Sequence, residues 1–150
     1  MKIIIIMIDD VLALSFLLTG SETKVNKKDF EKAKIICFYF SAHWCPPCQA
    51  FTPKLADFYK AVNATEKKLE IIYFSCDNSV DEYNEYRNTM PWIALPYKDP
   101  IIEKKATEFD VSGIPLLLVF KDGKLISKEG RTEVTNSGPI AFEKWLKKSA

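Results

Sequence analysis

The sequence predicts an α/β domain, a central mixed β-sheet flanked by helices on both faces. Three observations carry that prediction. Residues 35–40 (Ile-Ile-Cys-Phe-Tyr-Phe) have no polar face, the mark of a strand buried on both sides. Residues 69–75 form a second such run after a helical stretch, as two parallel strands joined by a right-handed crossover require. Asp122-Gly123 then separates two shorter strand-like runs and reads as a hairpin turn, which makes part of the sheet antiparallel.

Taken in order, the chain begins with an apolar run after Lys2 that is broken by Asp9-Asp10 and resumes over residues 11–18. Neither half reaches a membrane-spanning length, and paired carboxylates are costly inside an apolar leader. Residues 1–13 are therefore read as an extension packed on the domain, with a signal or anchor as the alternative, and residues 14–150 as the domain itself. Gly20 marks a short hairpin, and Asn26 caps a helical turn over residues 27–33, with Asp29 placed as in a capping box.

After the first strand, Phe51, Leu55, Phe58, Tyr59 and Val62 recur at helical spacing, so this aromatic stripe faces the core. Pro53 inside it is expected to bend the axis. Residues 81–88 read as a helix with Tyr83 and Tyr86 on one side, and residues 90–97 as a proline-bracketed aromatic loop. Asp99 caps a further helix with Pro100 at its first position. Residues 116–120 and 124–127 are the hairpin strands, and Gly138-Pro139 opens a last helix to residue 148 with Phe142, Trp145 and Leu146 inward. There are no internal repeats or low-complexity tracts.

With 150 residues, 47% apolar and 13% aromatic, the chain can bury the core of one domain. Its 21 basic and 20 acidic residues are interspersed, giving a net charge of +1 and no electrostatic case for nucleic acid. Four cysteines are too few for a secreted disulfide scaffold and fit a reducing compartment. A cytoplasmic location is expected, a secretory or membrane-anchored one through residues 1–18 being the alternative. Cys37 and Cys76, in apolar runs, are read as buried small hydrophobes.

The chemistry concentrates in Trp44-Cys45-Pro46-Pro47-Cys48, directly between a strand and a helix. That position puts Cys45 at a helix N-terminus, where unpaired N–H groups and the dipole favour a thiolate over a thiol. Cys48 lies one turn inside and can close a ring with it. Pro46 and Pro47 occupy first-turn positions where a missing N–H costs nothing, and they stiffen the loop. A dithiol–disulfide exchange site follows. Zinc would need two more ligands from His43, Cys37 and Cys76, and Cys37 sits in an all-apolar run, so no metal or other cofactor is expected. His43, the only histidine, is read as tuning local charge rather than forming a Cys–His pair.

The chain resembles the thioredoxin superfamily, and within it the tryparedoxin and nucleoredoxin branch, over about residues 14–148. Three segments carry the likeness: residues 38–55 around the dithiol, residues 90–97 (Met-Pro-Trp-Ile-Ala-Leu-Pro-Tyr), and Gly113-Ile114-Pro115, which matches the proline loop placed opposite the dithiol. The resemblance implies a thioredoxin-like fold, with Cys45 as attacking thiolate and Cys48 as resolving thiol. It also implies a cis Ile114–Pro115 bond, whose backbone pairs with an extended substrate segment.

Trp44 is expected to form a flat wall beside the thiols. Trp92 either lines the substrate surface or plugs the core edge. Gln49 stands where the branch commonly has Arg, and Cys76 near a position often held by Trp. Thioredoxins proper carry a buried Asp six residues before the first cysteine, where this chain has Tyr39. A proton acceptor for Cys48 must therefore come from elsewhere. Asp77 is the candidate, unless it only caps the following helix.

The expected function is reduction of protein disulfides, those of peroxidases among them, with a low-molecular-weight thiol or a reductase as electron donor. A membrane-tethered or exported thiol reductase, and a non-enzymatic module whose partner responds to the dithiol's redox state, are the other readings. No nucleic-acid partner is expected, and membrane association is disfavoured.

Overall fold

The computed structural model describes residues 32–149. Its elements are β1 (Ile35–Ser41), α1 (Pro46–Val62), β2 (Leu69–Ser75), α2 (Val80–Arg87), β3 (Ile93–Ala94), α3 (Pro100–Glu108), β4 (Leu116–Lys121), β5 (Lys124–Ser127), α4 (Gly130–Ser137) and α5 (Ile140–Lys147). The 1–13 extension, the Gly20 hairpin and the start of the Asn26-capped turn lie outside the described residues. Among the described residues no helix is long and apolar enough to cross a membrane.

The strands form one five-stranded sheet in the order β3-β2-β1-β4-β5. The absence of a polar face on β1 has its consequence here: it takes the centre. It runs parallel to β2, from Ile35 opposite Leu69 to Ser41 opposite Ser75, and antiparallel to β4, from Ile35 opposite Lys121 to Phe40 opposite Leu116. The sheet is therefore mixed, as expected. Asp122 and Gly123 join β4 to β5 with φ of 51° and 80°, the left-handed pair that a tight hairpin turn needs.

Alternation along the strands divides the core into two layers. Cys37 and Tyr39, with Ile71, Tyr73, Leu117 and Val119, face α1, α2, α4 and α5, where they meet Leu55, Phe58, Tyr86 and Trp145. Phe38 and Phe40, with Ile72, Phe74, Leu118 and Phe120, face α3, meeting Phe109, Ile101 and Ile102. Phe38 lies with its ring centroid 4.6 Å from those of both Phe74 and Phe120, so one side chain ties the three inner strands together.

Capping signals place the helix starts. Asp99 accepts from the Ile101 N–H at 3.0 Å with Pro100 next, and Ser79 Oγ accepts from the Glu82 N–H at 3.2 Å. Pro53 sits inside α1 on its exposed face, where it removes one intrahelical donor.

Two elements escaped the sequence reading. Residues 90–97 are not wholly loop: Ile93 and Ala94 pair in parallel with Ile72 and Tyr73 as β3. A two-residue strand between prolines carries no period to detect. The C-terminal stretch is two helices rather than one, because α4 precedes α5. Helix α4 buries only Gly130 and Val134, so it shows no apolar stripe. Glu133 fastens it from its own side chain, accepting from Ser127 Oγ at 2.5 Å and from Trp145 Nε1 at 3.2 Å. In α5, Phe142 and Trp145 are buried as expected and Leu146 is half-buried against the same core.

Gly130 starts α4 against the middle of the sheet. A Cβ there would stand 2.7 Å from Leu117 O, a backbone atom that cannot swing aside. Gly130→Ala is expected to lower stability by about 1–3 kcal/mol through overpacking, read as a lower urea midpoint at unchanged slope. An unchanged midpoint would show that α4 can lift from β4 without cost.

Candidate active site

Strand β1 delivers the chain to Ser41 at the end of the sheet, and residues 42–44 turn it into α1. Cys45 is the N-cap of α1 with extended backbone (φ −100°, ψ 110°), and Pro46 and Pro47 fill the first turn, both exposed. No side chain caps this end, so its N–H groups face the Cys45 region as the motif predicts. Cys48, one turn in, is fully buried. Ala42, Cys45 and Cys48 form a compact cluster on which Ile114 and Cys76 pack. The Ile114–Pro115 bond is cis, and Cys45 Sγ lies 3.9 Å from Ile114 O.

The two thiols differ in setting. Cys45 keeps a small exposed edge, whereas burial, and next its hydrogen bond with Cys45, push the Cys48 thiol up to about 12. The Ser41 hydroxyl and the Ala42 backbone oppose that rise by bonding to Cys48.

Asp77 is not the helix cap, since Ser79 holds that position. Its carboxylate instead accepts from the His43 N–H at 2.7 Å, the Tyr73 hydroxyl at 2.6 Å and the Ser75 hydroxyl at 2.7 Å. The residues that set the Cys48 thiol are Cys45, Ser41 and Ala42, not Asp77. Asp77 thus anchors the residue 42–44 turn to the end of β2, and the sequence expectation that it takes the Cys48 proton has no support in this geometry.

Trp44 is 48% exposed, and its indole N–H donates to Cys76 O at 2.9 Å, which holds the ring in place. Gln49 donates its side-chain amide to His43 O. His43 places its ring 5.5 Å from that of Tyr86, edge to face.

Trp92 is the core plug and not a substrate contact. It is fully buried, with its ring 5.8 Å from Tyr39 and 5.7 Å from Tyr59. Cys37 is buried as expected, its thiol held well above the ordinary range by burial and then by Glu70. Cys76 corrects the reading of a buried strand residue. It lies just beyond β2, half-exposed beside Cys45, with its thiol pushed up to about 11 by burial and next by the Asp77 carboxylate.

The sequence reading missed a set of buried hydroxyls behind Cys48. Ser41 Oγ lies 2.9 Å from Tyr86 Oη, which lies 2.5 Å from Thr52 Oγ1, in turn 2.7 Å from Tyr39 Oη. Polar residues within the otherwise apolar residue 38–55 segment were the available signal. Outside Tyr86 and Thr52 opens a cavity of about 420 Å³ whose walls include His43, Gln49, Asp57 and Lys60. Among the described residues no group of three or more His, Cys, Asp or Glu is placed to hold a metal ion.

Comparison with known proteins gives a consistent picture. A family model described as Thioredoxin-like matches residues 32–125. Probable nucleoredoxin 1 of Arabidopsis thaliana is 40% identical over 136 residues, covering 85% of this chain and 24% of that protein. The tryparedoxin of Trypanosoma brucei brucei is 36% identical over 115 residues, covering 75% of this chain and 79% of that protein. The structure of a tryparedoxin II complexed with glutathionylspermidine superposes with a TM-score of 0.75 at 38% identity, covering 83% of this chain and 87% of that one. The chain spans about a quarter of the length of the nucleoredoxins it matches.

The four thiols should separate on alkylation of the reduced, folded protein. Cys76 should react about tenfold faster per pH unit as its thiolate fraction rises toward about 11. Cys37 and Cys48 should stay protected up to about pH 9, since neither is exposed and burial keeps both thiols protonated. Peptide mass spectrometry of iodoacetamide-treated protein reads this directly. Equal labelling of all four at neutral pH would contradict the placement.

Proposed function

Because the chain belongs to the thioredoxin-like family, in its tryparedoxin and nucleoredoxin branch, we propose that it is a thiol–disulfide oxidoreductase that reduces protein disulfides through Cys45 and Cys48. One observation carries the reading: at a helix N-terminus Cys45 keeps a small exposed edge and faces the Ile114 carbonyl, while Cys48 lies fully buried one turn behind it.

The Cys45 thiolate attacks one sulfur of a substrate disulfide. That bond breaks, the departing sulfur leaves as a thiolate that is then protonated, and Cys45 is held in a mixed disulfide. Cys48 loses its proton and attacks Cys45 Sγ. The second substrate sulfur departs, and two electrons have passed from the dithiol to the substrate. Ile114 O offers a backbone acceptor to an extended segment of the substrate, the pairing used in strand addition. Trp44 and the exposed faces of Pro46 and Pro47 give that segment an apolar wall.

A low-molecular-weight thiol or a reductase returns the electrons. The tryparedoxin solved with glutathionylspermidine supports the first class of donor. Peroxidase disulfides are the proposed substrates, and a reducing compartment such as the cytoplasm is the proposed setting.

Cys48→Ser should accumulate a covalent mixed disulfide at Cys45 with a disulfide-bearing protein, and Cys45→Ser should abolish exchange altogether. In the unmodified protein, titration in glutathione or dithiothreitol buffers should show one two-electron step between about −270 and −200 mV. A step near about −120 mV would instead mark an oxidant, and the absence of any step would overturn the assignment.

A further inference from the structure

The resolving step demands a proton path. Cys48 must shed its proton before it can attack, yet its side chain has no exposed surface. Tyr39, on the strand that leads to the dithiol, offers no carboxylate, and its phenol, raised by burial, stays neutral. The Asp77 carboxylate is already bonded to His43, Tyr73 and Ser75, and that of Asp57 lines the cavity on the far side of Thr52 and Tyr86.

Hydroxyls fill the gap. Ser41 ends β1 just before the turn into the dithiol, Thr52 lies one helical turn beyond Cys48 on the buried face of α1, and Ser41 Oγ lies 2.9 Å from Tyr86 Oη. Tyr86 and Thr52, 2.5 Å apart at their oxygens, both line the cavity of about 420 Å³ that opens beside His43. Tyr39 Oη closes the set from the core side, 2.7 Å from Thr52 Oγ1. Each hydroxyl can donate and accept at once, so the chain conducts a proton without any member holding charge.

We propose that Ser41 and Tyr86, steadied by Thr52, carry the Cys48 proton to water in that cavity as Cys48 resolves the mixed disulfide. The inference rests on the exchange reading above and deepens it. The step balances: Ser41 Oγ takes the proton from Cys48 Sγ and passes its own to Tyr86 Oη, which releases one to the cavity water. Cys48 is left a thiolate, both hydroxyls are unchanged in charge, and no electrons move until the thiolate attacks. Reduction of the Cys45–Cys48 disulfide returns a proton by the same route. The titratable groups facing the path are Cys45 and Tyr39 at its inner end, Tyr73 with its ring 5.8 Å from Tyr86, His43 at 5.5 Å on the cavity side, and Asp57 and Lys60 in the cavity wall. Burial keeps the phenols protonated, so they act as neutral relays.

The test is a stopped-flow reaction of the full chain, fully reduced, with substoichiometric 5,5′-dithiobis(2-nitrobenzoate). Attack by Cys45 releases one thionitrobenzoate, and resolution by Cys48 releases the second. In Ser41→Ala and Tyr86→Phe the second release should slow by about tenfold or more while the first stays within about twofold of the unmodified chain. The solvent isotope ratio of the second release should also rise in Tyr86→Phe, as proton transfer becomes limiting, which a mere displacement of Cys48 would not cause. Second releases unchanged in both variants, both releases slowed alike, or an isotope ratio that does not move would overturn the relay. Should Tyr86→Phe fail to fold, Ser41→Ala, which removes one oxygen, decides the matter. A reduced unmodified chain with no second release would overturn the exchange reading itself, and the relay with it.

Discussion

Everything near the dithiol depends on where β1 can sit. A strand with apolar side chains on both faces has one stable place, between two other strands with helices above and below. Parallel pairing with β2 and antiparallel pairing with β4 hold it there, and the aromatic contacts of Phe38 and Phe40 lock the register. Once that register is set, Ser41, Cys45 and the Ile114 loop reach the same end of the sheet. The hydrogen bond from the His43 N–H to Asp77 then fastens the turn between β1 and α1 to the neighbouring strand. A buried strand is thus the reason the Cys45 thiol has a defined position.

The pair of thiols works by being unlike. Cys45 ends at a helix terminus with a carbonyl across from it, and Cys48 is fully buried, which disfavours its anion. In the proposed exchange that difference orders events: Cys45, with its small exposed edge, meets substrate first, and the fully buried Cys48 acts after it. Where a carboxylate would add a second charge to the pocket, this chain supplies neutral oxygens from Tyr39, Ser41, Thr52 and Tyr86. Such groups add no charge to a low-dielectric site, and their hydrogen bonds satisfy one another.

Legibility in the sequence followed the strength of the local signal. The buried strands, the Asp122-Gly123 turn, the Asp99 cap and the strand–dithiol–helix junction each rest on a few adjacent residues, and each stands in the structure as read. Elements held by distant partners were not readable. Helix α4 is secured by one buried valine, by a glycine lying on Leu117, and by Glu133 reaching Ser127 and Trp145. Trp92 and Cys76 show the same limit within the site. Whether a side chain near a motif turns inward or outward depends on residues far along the chain, and here Trp92 turned into the core while Cys76 came to the thiols.

The brevity of β3 has a consequence for how such a domain behaves beside others. Every open sheet has two borders with unpaired backbone groups, and long flat borders invite a second chain to zip on. Among the described residues one border is a strand of two residues with Pro91 and Pro96 on either side, and the other is four residues long and begins with Lys124. Neither offers enough consecutive donors and acceptors to template a foreign strand. A second chain laid along either of these borders would find at most four consecutive residues to pair with.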